Sequence, residues 1–248
     1  MSYRFGILGC FYDCENYLPE VLSPWFRLKK ELNLSITAVN CLFSEYSSLG
    51  YKNEDYLTQE IIKKNQFDYK IISPVPQRES EVRNLALSYL LYENVDFIWL
   101  LDGDEFYTEE QIRRSINFVK KNINNYWFPI NFKNYIFDGK QWIDGFCPPR
   151  IFNNTLENKI DKFYWDNDIV YSNGKGYKTL KSLEIPREEA HVRHMTWLHS
   201  NGKKKVEYQQ KHFGHCSYKW NDHKNELEFD LDFYSKRGLP FEKVNLDK

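Results

Sequence analysis

The sequence predicts an α/β fold with a mostly parallel sheet flanked by helices, and three observations carry that prediction. Over the first half of the chain, short apolar runs alternate with longer segments of helical period, the signature of repeated strand, helix, strand units. One run, Asp96 to Leu101, is continuously apolar after its first residue, as a strand buried on both faces must be. At 248 residues the chain is also long enough for one large α/β domain with a substantial core.

The elements follow in order. Phe5 to Leu8 reads as a first strand ending in Gly9, before a polar corner at Tyr12-Asp13-Cys14-Glu15-Asn16. Leu18, Val21, Leu22, Trp25 and Leu28 then recur at a spacing that suits one helical face, and Pro24 marks a point where that helix can split, with Ser23 as a new cap. Ile36 to Phe43 reads as the second strand, Glu54 to Asn65 as a helix, and Tyr69 to Ser73 as a third strand stopped by Pro74 and Pro76. Ser80 to Tyr92 is helical, with Val82, Leu85, Ala86 and Tyr89 on one side. The fourth strand runs straight into Asp102-Gly103-Asp104-Glu105, after which Thr108 and Gln111 form a capping-box pattern for a helix carrying Ile112, Ile116 and Val119 inward. In the second half, Tyr126 to Phe132 and Arg150 to Phe152 read as strands and Lys203 to Phe213 as a helix. Asp161 to Ile185 has no clear period, and the charged tail after Asn221 reads as a peripheral helix or as partly disordered. One domain with a C-terminal elaboration is expected.

Composition narrows the function. Thirty-four basic against thirty-five acidic side chains leave no bulk electrostatic reason to expect nucleic acid or an anionic membrane as partner. No stretch approaches the ~20 apolar residues needed to cross a bilayer, and the first residues carry too short an apolar run for a signal peptide. Five scattered cysteines, Cys10, Cys14, Cys41, Cys147 and Cys216, fit a reducing compartment, so a cytoplasmic location is expected. Cys10 and Cys14 are a close pair, a weak metal signal.

Three Asp-x-Asp strings occur, at 102 to 104, 166 to 168 and 230 to 232, where average composition predicts about one by chance. Context selects the first, because the carboxyl edge of an open α/β sheet is where ligands bind. Two carboxylates separated by one small residue can converge on a hard divalent cation that also binds phosphate oxygens, and Gly103 lets a ligand approach the backbone. A solvated acidic turn capping the next helix, with Glu105 and Glu109 complementing its dipole, is the bland alternative.

From Phe5 to Lys121 the chain resembles the nucleotide-binding half of a family 2 glycosyltransferase of the GT-A fold. Glu15 to Leu22 resembles the family's first helix, Arg83-Asn84-Leu85-Ala86-Leu87 its "Arg-Asn-x-Ala" helix, and Asp96 to Phe106 its strand followed by Asp-x-Asp-Glu. The resemblance implies a hexosyltransferase-type enzyme that takes a nucleotide-sugar donor, a UDP-sugar favoured, and Mn²⁺ or Mg²⁺. The acceptor would be a hydroxyl of a glycan, a lipid-linked molecule or a protein. It implies that Asp102 contacts the ribose or the metal, that Asp104 binds the metal, and that Arg83 holds the nucleotide or diphosphate beside Gly103. Phe11, Tyr12, Asp13 and Ser44 would lie near the base and ribose. The first loop departs from the family, which has Pro and Asn where this chain has Cys10 to Asp13. So does Ser44-Glu45, which stands where the family has an acidic pair. Residues 1–121 would be the nucleotide-sugar half, 122–220 the acceptor and metal-completing half, and 221–248 a tail.

All six histidines fall in the C-terminal third. His194 to His199, with Lys205, Tyr208 and His215 after it, resembles the closing segment of such enzymes, in which a histidine completes the metal site. The choice is His194, ahead of His191 and His199, with His212 and His215 structural. An inverting transfer needs a carboxylate to deprotonate the acceptor, and Asp144, Asp166, Asp168 and Glu189 are the candidates. The competing readings are a sugar-phosphate nucleotidyltransferase, whose Gly-rich, Arg-bearing first loop is missing from Gly9-Cys10-Phe11-Tyr12, and a catalytically silent nucleotide- or carbohydrate-binding module.

Overall fold

A computed structural model of the chain describes residues 3–52, 54–136, 141–165, 168–195, 202–213, 218–222, 226–229 and 244–245. They fall into two compact units, Met1–Asn131 with Cys147–Val192 and Phe132–Phe146 with Arg193–Lys248.

The first unit opens with β1 (Phe5–Cys10), every residue of which is buried, and α1 (Leu18–Leu28). Pro24 does not split this helix. An interior proline costs about 3 kcal/mol, but Val21, Leu22 and Leu28 are each at most 2% exposed and bury about 1.5–3 kcal/mol apiece, so packing outweighs the lost hydrogen bond. Next come β2 (Leu34–Asn40), the short α2 (Ser44–Ser47), α3 (Tyr56–Lys64), β3 (Tyr69–Ile72), α4 (Glu79–Tyr92) and β4 (Phe97–Asp102). Strands β3, β2, β1 and β4 are adjacent and parallel, with Cys10 in register with Asp102. A two-residue strand, β5 (Glu105–Phe106), precedes α5 (Glu109–Lys121), whose N-terminus has the expected capping box: Gln111 N–H donates to Thr108 Oγ1 and Thr108 N–H to Gln111 Oε1.

The segment expected as one strand over 126–132 is two, β6 (Trp127–Pro129) and β7 (Asn131–Ile136), separated at Ile130. After β8 (Gln141–Phe146), strand β9 (Pro149–Asn153) inserts antiparallel between β4 and β6 and completes a six-stranded sheet in the order β3-β2-β1-β4-β9-β6. Trp99 pairs with Ile151, which brings Arg150 toward the carboxyl end of β4. The stretch without a clear period holds the antiparallel pair β10 (Ile160–Trp165) and β11 (Asp168–Tyr171). Its register shifts between Ile160 and Lys162 and again between Phe163 and Trp165, and such bulges break the alternation by which a strand is recognised. The last strand of this part, β12 (His191–His194), crosses from the first unit into the second.

In the second unit β7 and β8 form an antiparallel hairpin with Tyr135 opposite Trp142, and β15 (Val244–Asn245) pairs with the other edge of β8. Helix α6 (Gly202–Phe213) lies where the sequence placed one. The tail after Asn221, expected as a peripheral helix or as partly disordered, contributes β14 (Glu226–Phe229), paired with β13 (Tyr218–Asn221). Among the described residues no helix is long and apolar enough to cross a membrane.

Candidate active site

The carboxyl ends of β1 and β4 lie side by side, and the Asp102 to Glu105 turn leaves that edge of the sheet. Asp102 is not a solvated acid. Arg83 Nη2 donates to its Oδ1 at 3.1 Å and Arg150 Nη2 to its Oδ2 at 3.0 Å, and both arginine side chains are 3% exposed. Arg83 is held in turn from α4 by Glu79, one helical turn earlier, whose Oε1 accepts from Nε at 3.0 Å and Nη2 at 2.7 Å. Arg150 Nη2 also lies 2.5 Å from Glu105 Oε1, a close charge contact rather than a directed hydrogen bond. Glu105 is fully buried, with Tyr107 Oη donating to its Oε2 at 3.3 Å.

This network sets the charge states. Burial would raise the Asp102 carboxyl, but the guanidinium groups of Arg83 and Arg150 outweigh it and hold the group below the usual carboxylate range. Glu105 goes the other way: burial pushes it well above its ordinary value, Arg150 opposes, and the charges of Asp102 and Asp104 add to the rise. Arg83 Nη1 is buried without a protein acceptor, so this arginine keeps one donor beyond its two carboxylate partners.

Asp104 is half-buried, and its charge, behind the larger effect of burial, raises the phenols of Tyr17 and Tyr46 and the thiol of Cys14. Gly103 has a packing reason to be glycine: a Cβ there would meet Cys14 Sγ at 2.6 Å and Cys14 Cβ at 2.8 Å. The space expected for ligand approach on that side is filled by Cys14. Among the described residues neither cysteine of the close pair joins a group that could hold a metal, and burial pushes Cys10 up to about 12 and Cys14 well above its ordinary value.

The first loop is pinned rather than open. Phe11 is 1% exposed, its ring in the core and its N–H and C=O bonded to Val39 O and Asn40 Nδ2. Asp13 adopts φ 53°, a left-handed conformation that Asp tolerates, and its N–H donates to Asp55 Oδ2 at 2.7 Å. The half-buried Tyr12 donates to Lys52 O at 3.2 Å and stacks on Tyr46, which stacks on Phe43. Ser44 starts α2, its Oγ donating to Glu45 Oε2 at 3.2 Å.

The base candidates whose side chains are described, Asp168 and Glu189, stay apart from this network. Asp168 is paired with Lys178 at 2.9 Å on β11, and Glu189 sits half-exposed in a turn closed by its N–H on Pro186 O. The side chain of Asp144, all of Asp166 and His199, and the side chain of His212 lie outside the described residues. In the second unit His194 is 9% exposed, with Nδ1 2.6 Å from Asn134 Oδ1 and its ring against Phe132. An amide oxygen only accepts, so Nδ1 carries a proton in this contact.

Sequence reasoning missed Glu79, Arg150, Tyr46 and Asp55. Glu79 was legible as an i, i+4 partner of Arg83. Arg150 had its signal too, as a charged residue inside an apolar strand that has to find a buried partner. Among the described residues no three His, Cys, Asp or Glu side chains are gathered tightly enough to hold a metal by themselves. The donors at the turn are the Asp104 carboxylate and the second lone pairs of the Asp102 oxygens. That set fits a Mg²⁺-type ion, which takes one or two carboxylates and completes its shell with phosphate and water.

No family model matches this sequence, and no curated protein matches it. Among solved structures the chain is similar to TarS 1-349 of S. aureus, at a TM-score of 0.51 and 15% identity, covering 84% of this chain and 64% of that one. A structure of the same TarS segment with UDP-GlcNAc aligns at a TM-score of 0.39 and 18% identity, over 55% and 36% of the two chains. A 4-diphosphocytidyl-2C-methyl-D-erythritol synthase from Anaerococcus prevotii aligns at 0.38 and 15%, over 62% and 72%. The chain thus spans less than two thirds of the TarS segment, and what it shares with TarS is the fold, a mainly parallel sheet flanked by helices of the GT-A kind.

Proposed function

We propose that this chain is a glycosyltransferase that moves a sugar from a nucleotide-sugar donor, a UDP-sugar favoured, to a hydroxyl acceptor. The observation that carries the reading is the pairing of an ionised, arginine-held Asp102 with a half-buried Asp104, two residues on, at the carboxyl edge of β4. The fold shared with TarS, a protein also solved with UDP-GlcNAc, supports it.

In this reading Asp104 holds Mn²⁺ or Mg²⁺ with help from Asp102. The ion supplies Lewis-acid stabilisation of the charge that develops on the departing diphosphate. The chain's own groups do the rest. Arg83 keeps Asp102 ionised and turns its remaining donor, Nη1, toward a phosphate or ribose oxygen. Tyr12 and Tyr46 offer aromatic surface to the base.

The test is calorimetric titration of UDP with Mn²⁺ and with EDTA, paired with hydrolysis of a nucleotide-sugar panel. Binding should be tighter with Mn²⁺, and Asp104→Ala should remove that difference while unfolding at the wild-type denaturant midpoint. Equal UDP affinity with Mn²⁺ and EDTA would remove the metal from the reading. Release of pyrophosphate from a nucleoside triphosphate and a sugar phosphate would replace transfer by nucleotidylation.

A further inference from the structure

The Asp102 to Glu105 turn has an electrostatic problem: three carboxylates within four residues, one of them fully buried. Arg83 answers only for Asp102. The other answer comes from β9, whose charged residue is Arg150. Arg150 is 3% exposed, and a single atom of it, Nη2, lies 3.0 Å from Asp102 Oδ2 and 2.5 Å from Glu105 Oε1. Those two carboxylates are the first and last residues of the turn. One cation joining both ends closes it, and the half-exposed Asp104 lies between them.

Resting on the reading of Asp104 as the cation's ligand, we propose that Arg150 is a positioning residue that staples the Asp102 to Glu105 turn through Nη2 and so sets the direction in which Asp104 is presented. The register supports it, since Arg150 is next to Ile151, which pairs with Trp99 three residues before Asp102. Because β9 is antiparallel to β4, its start lies against the end of β4, and a residue there reaches the turn without a loop. Because one nitrogen makes both contacts, an ammonium at the same place can replace it, whereas a neutral side chain of similar length cannot.

The experiment compares Arg150→Met and Arg150→Lys with wild type by amide hydrogen exchange, read in parallel with UDP titration in Mn²⁺. In Arg150→Met the amides of Gly103, Asp104 and Glu105 should exchange about 10- to 100-fold faster, the scale of one hydrogen bond to a charged group. Ile98 and Leu100 in β4 should keep their protection, UDP affinity in Mn²⁺ should fall, and Arg150→Lys should restore most of both. Unchanged exchange in the turn overturns the proposal. So does equal acceleration throughout β4, which makes Arg150 a support of the sheet and not of the turn, and so does a lysine variant no better than methionine. If Arg150→Met does not fold, Glu105→Gln replaces it, with a smaller acceleration confined to the turn as the expected result and none as the overturning one. Should wild-type protein bind no UDP in Mn²⁺, the donor reading falls while the exchange data still decide the staple.

Discussion

Arg83 Nη2 donates to Asp102 Oδ1 at 3.1 Å while the same guanidinium takes both of its other bonds to Glu79, so one buried cation joins the face of α4 to the end of β4. Removing it leaves two carboxylates under-compensated, and breaking a buried pair from one side costs about 3–5 kcal/mol. Arg83→Met is therefore expected to lower the unfolding free energy by that order in urea titration. Arg83→Lys should fall in between, because an ammonium keeps the charge but loses the planar fork that serves Glu79 and Asp102 together.

The two acids at the ends of the turn predict opposite pH slopes. The folded value of Asp102 is depressed, so its contribution is full above its unfolded value, about 3.9, and is lost as pH falls through the lower folded one. The folded value of Glu105 is raised, so its contribution is full below about 4.3 and is lost as pH rises toward the folded value. Urea midpoints of wild type should carry the Glu105 decline as pH rises above about 4.3, and Glu105→Gln should flatten it. A variant profile parallel to wild type would mean that Glu105 is ionised in the folded chain throughout.

At Gly103 the space for a Cβ is taken by Cys14. Gly103→Ala should cost about 1–3 kcal/mol through overpacking. The double change Gly103→Ala with Cys14→Gly should recover part of that loss, since it removes both atoms the new methyl meets. Additive losses in the double mutant would place the strain elsewhere.

In the resemblance His194 would serve the cation, and its Nδ1 lies 2.6 Å from Asn134 Oδ1. His194→Ala is expected to weaken the Mn²⁺-dependent part of UDP binding. Asn134→Leu, which frees the ring and its tautomer, should cost about 10–100-fold in Mn²⁺ affinity. Titration of Mn²⁺ into the UDP-bound protein reads both, and unchanged affinity in His194→Ala removes the residue from the assignment.

Much of the chain through Lys121 was legible because its longer elements each satisfy one local rule. The run from Phe97 to Leu101 is apolar on both faces and became β4, and Thr108 with Gln111 capped α5 in the structure as in the pattern. The second half was harder. The bulges of β10 and β11 hide their alternation, and the strand expected over 126–132 changes partners at Ile130.

By itself the sequence determined the order of the longer strands and helices through 121 and the position of an acidic turn directly after a doubly buried strand, because hydrophobic period and caps are written within a few residues of one another. Only the tertiary structure decided what the acids of that turn are. Arg150 lies 48 residues from Asp102 and reaches it because β9 enters the sheet antiparallel beside β4, a pairing that neither segment's own pattern encodes. The same packing seals Glu105 and locks the partly exposed Asp102 between two guanidinium groups, with the half-exposed Asp104 between those two acids in sequence. Periodicity tells which face of a strand is buried; which charge meets it there depends on the neighbour, and that is a long-range choice.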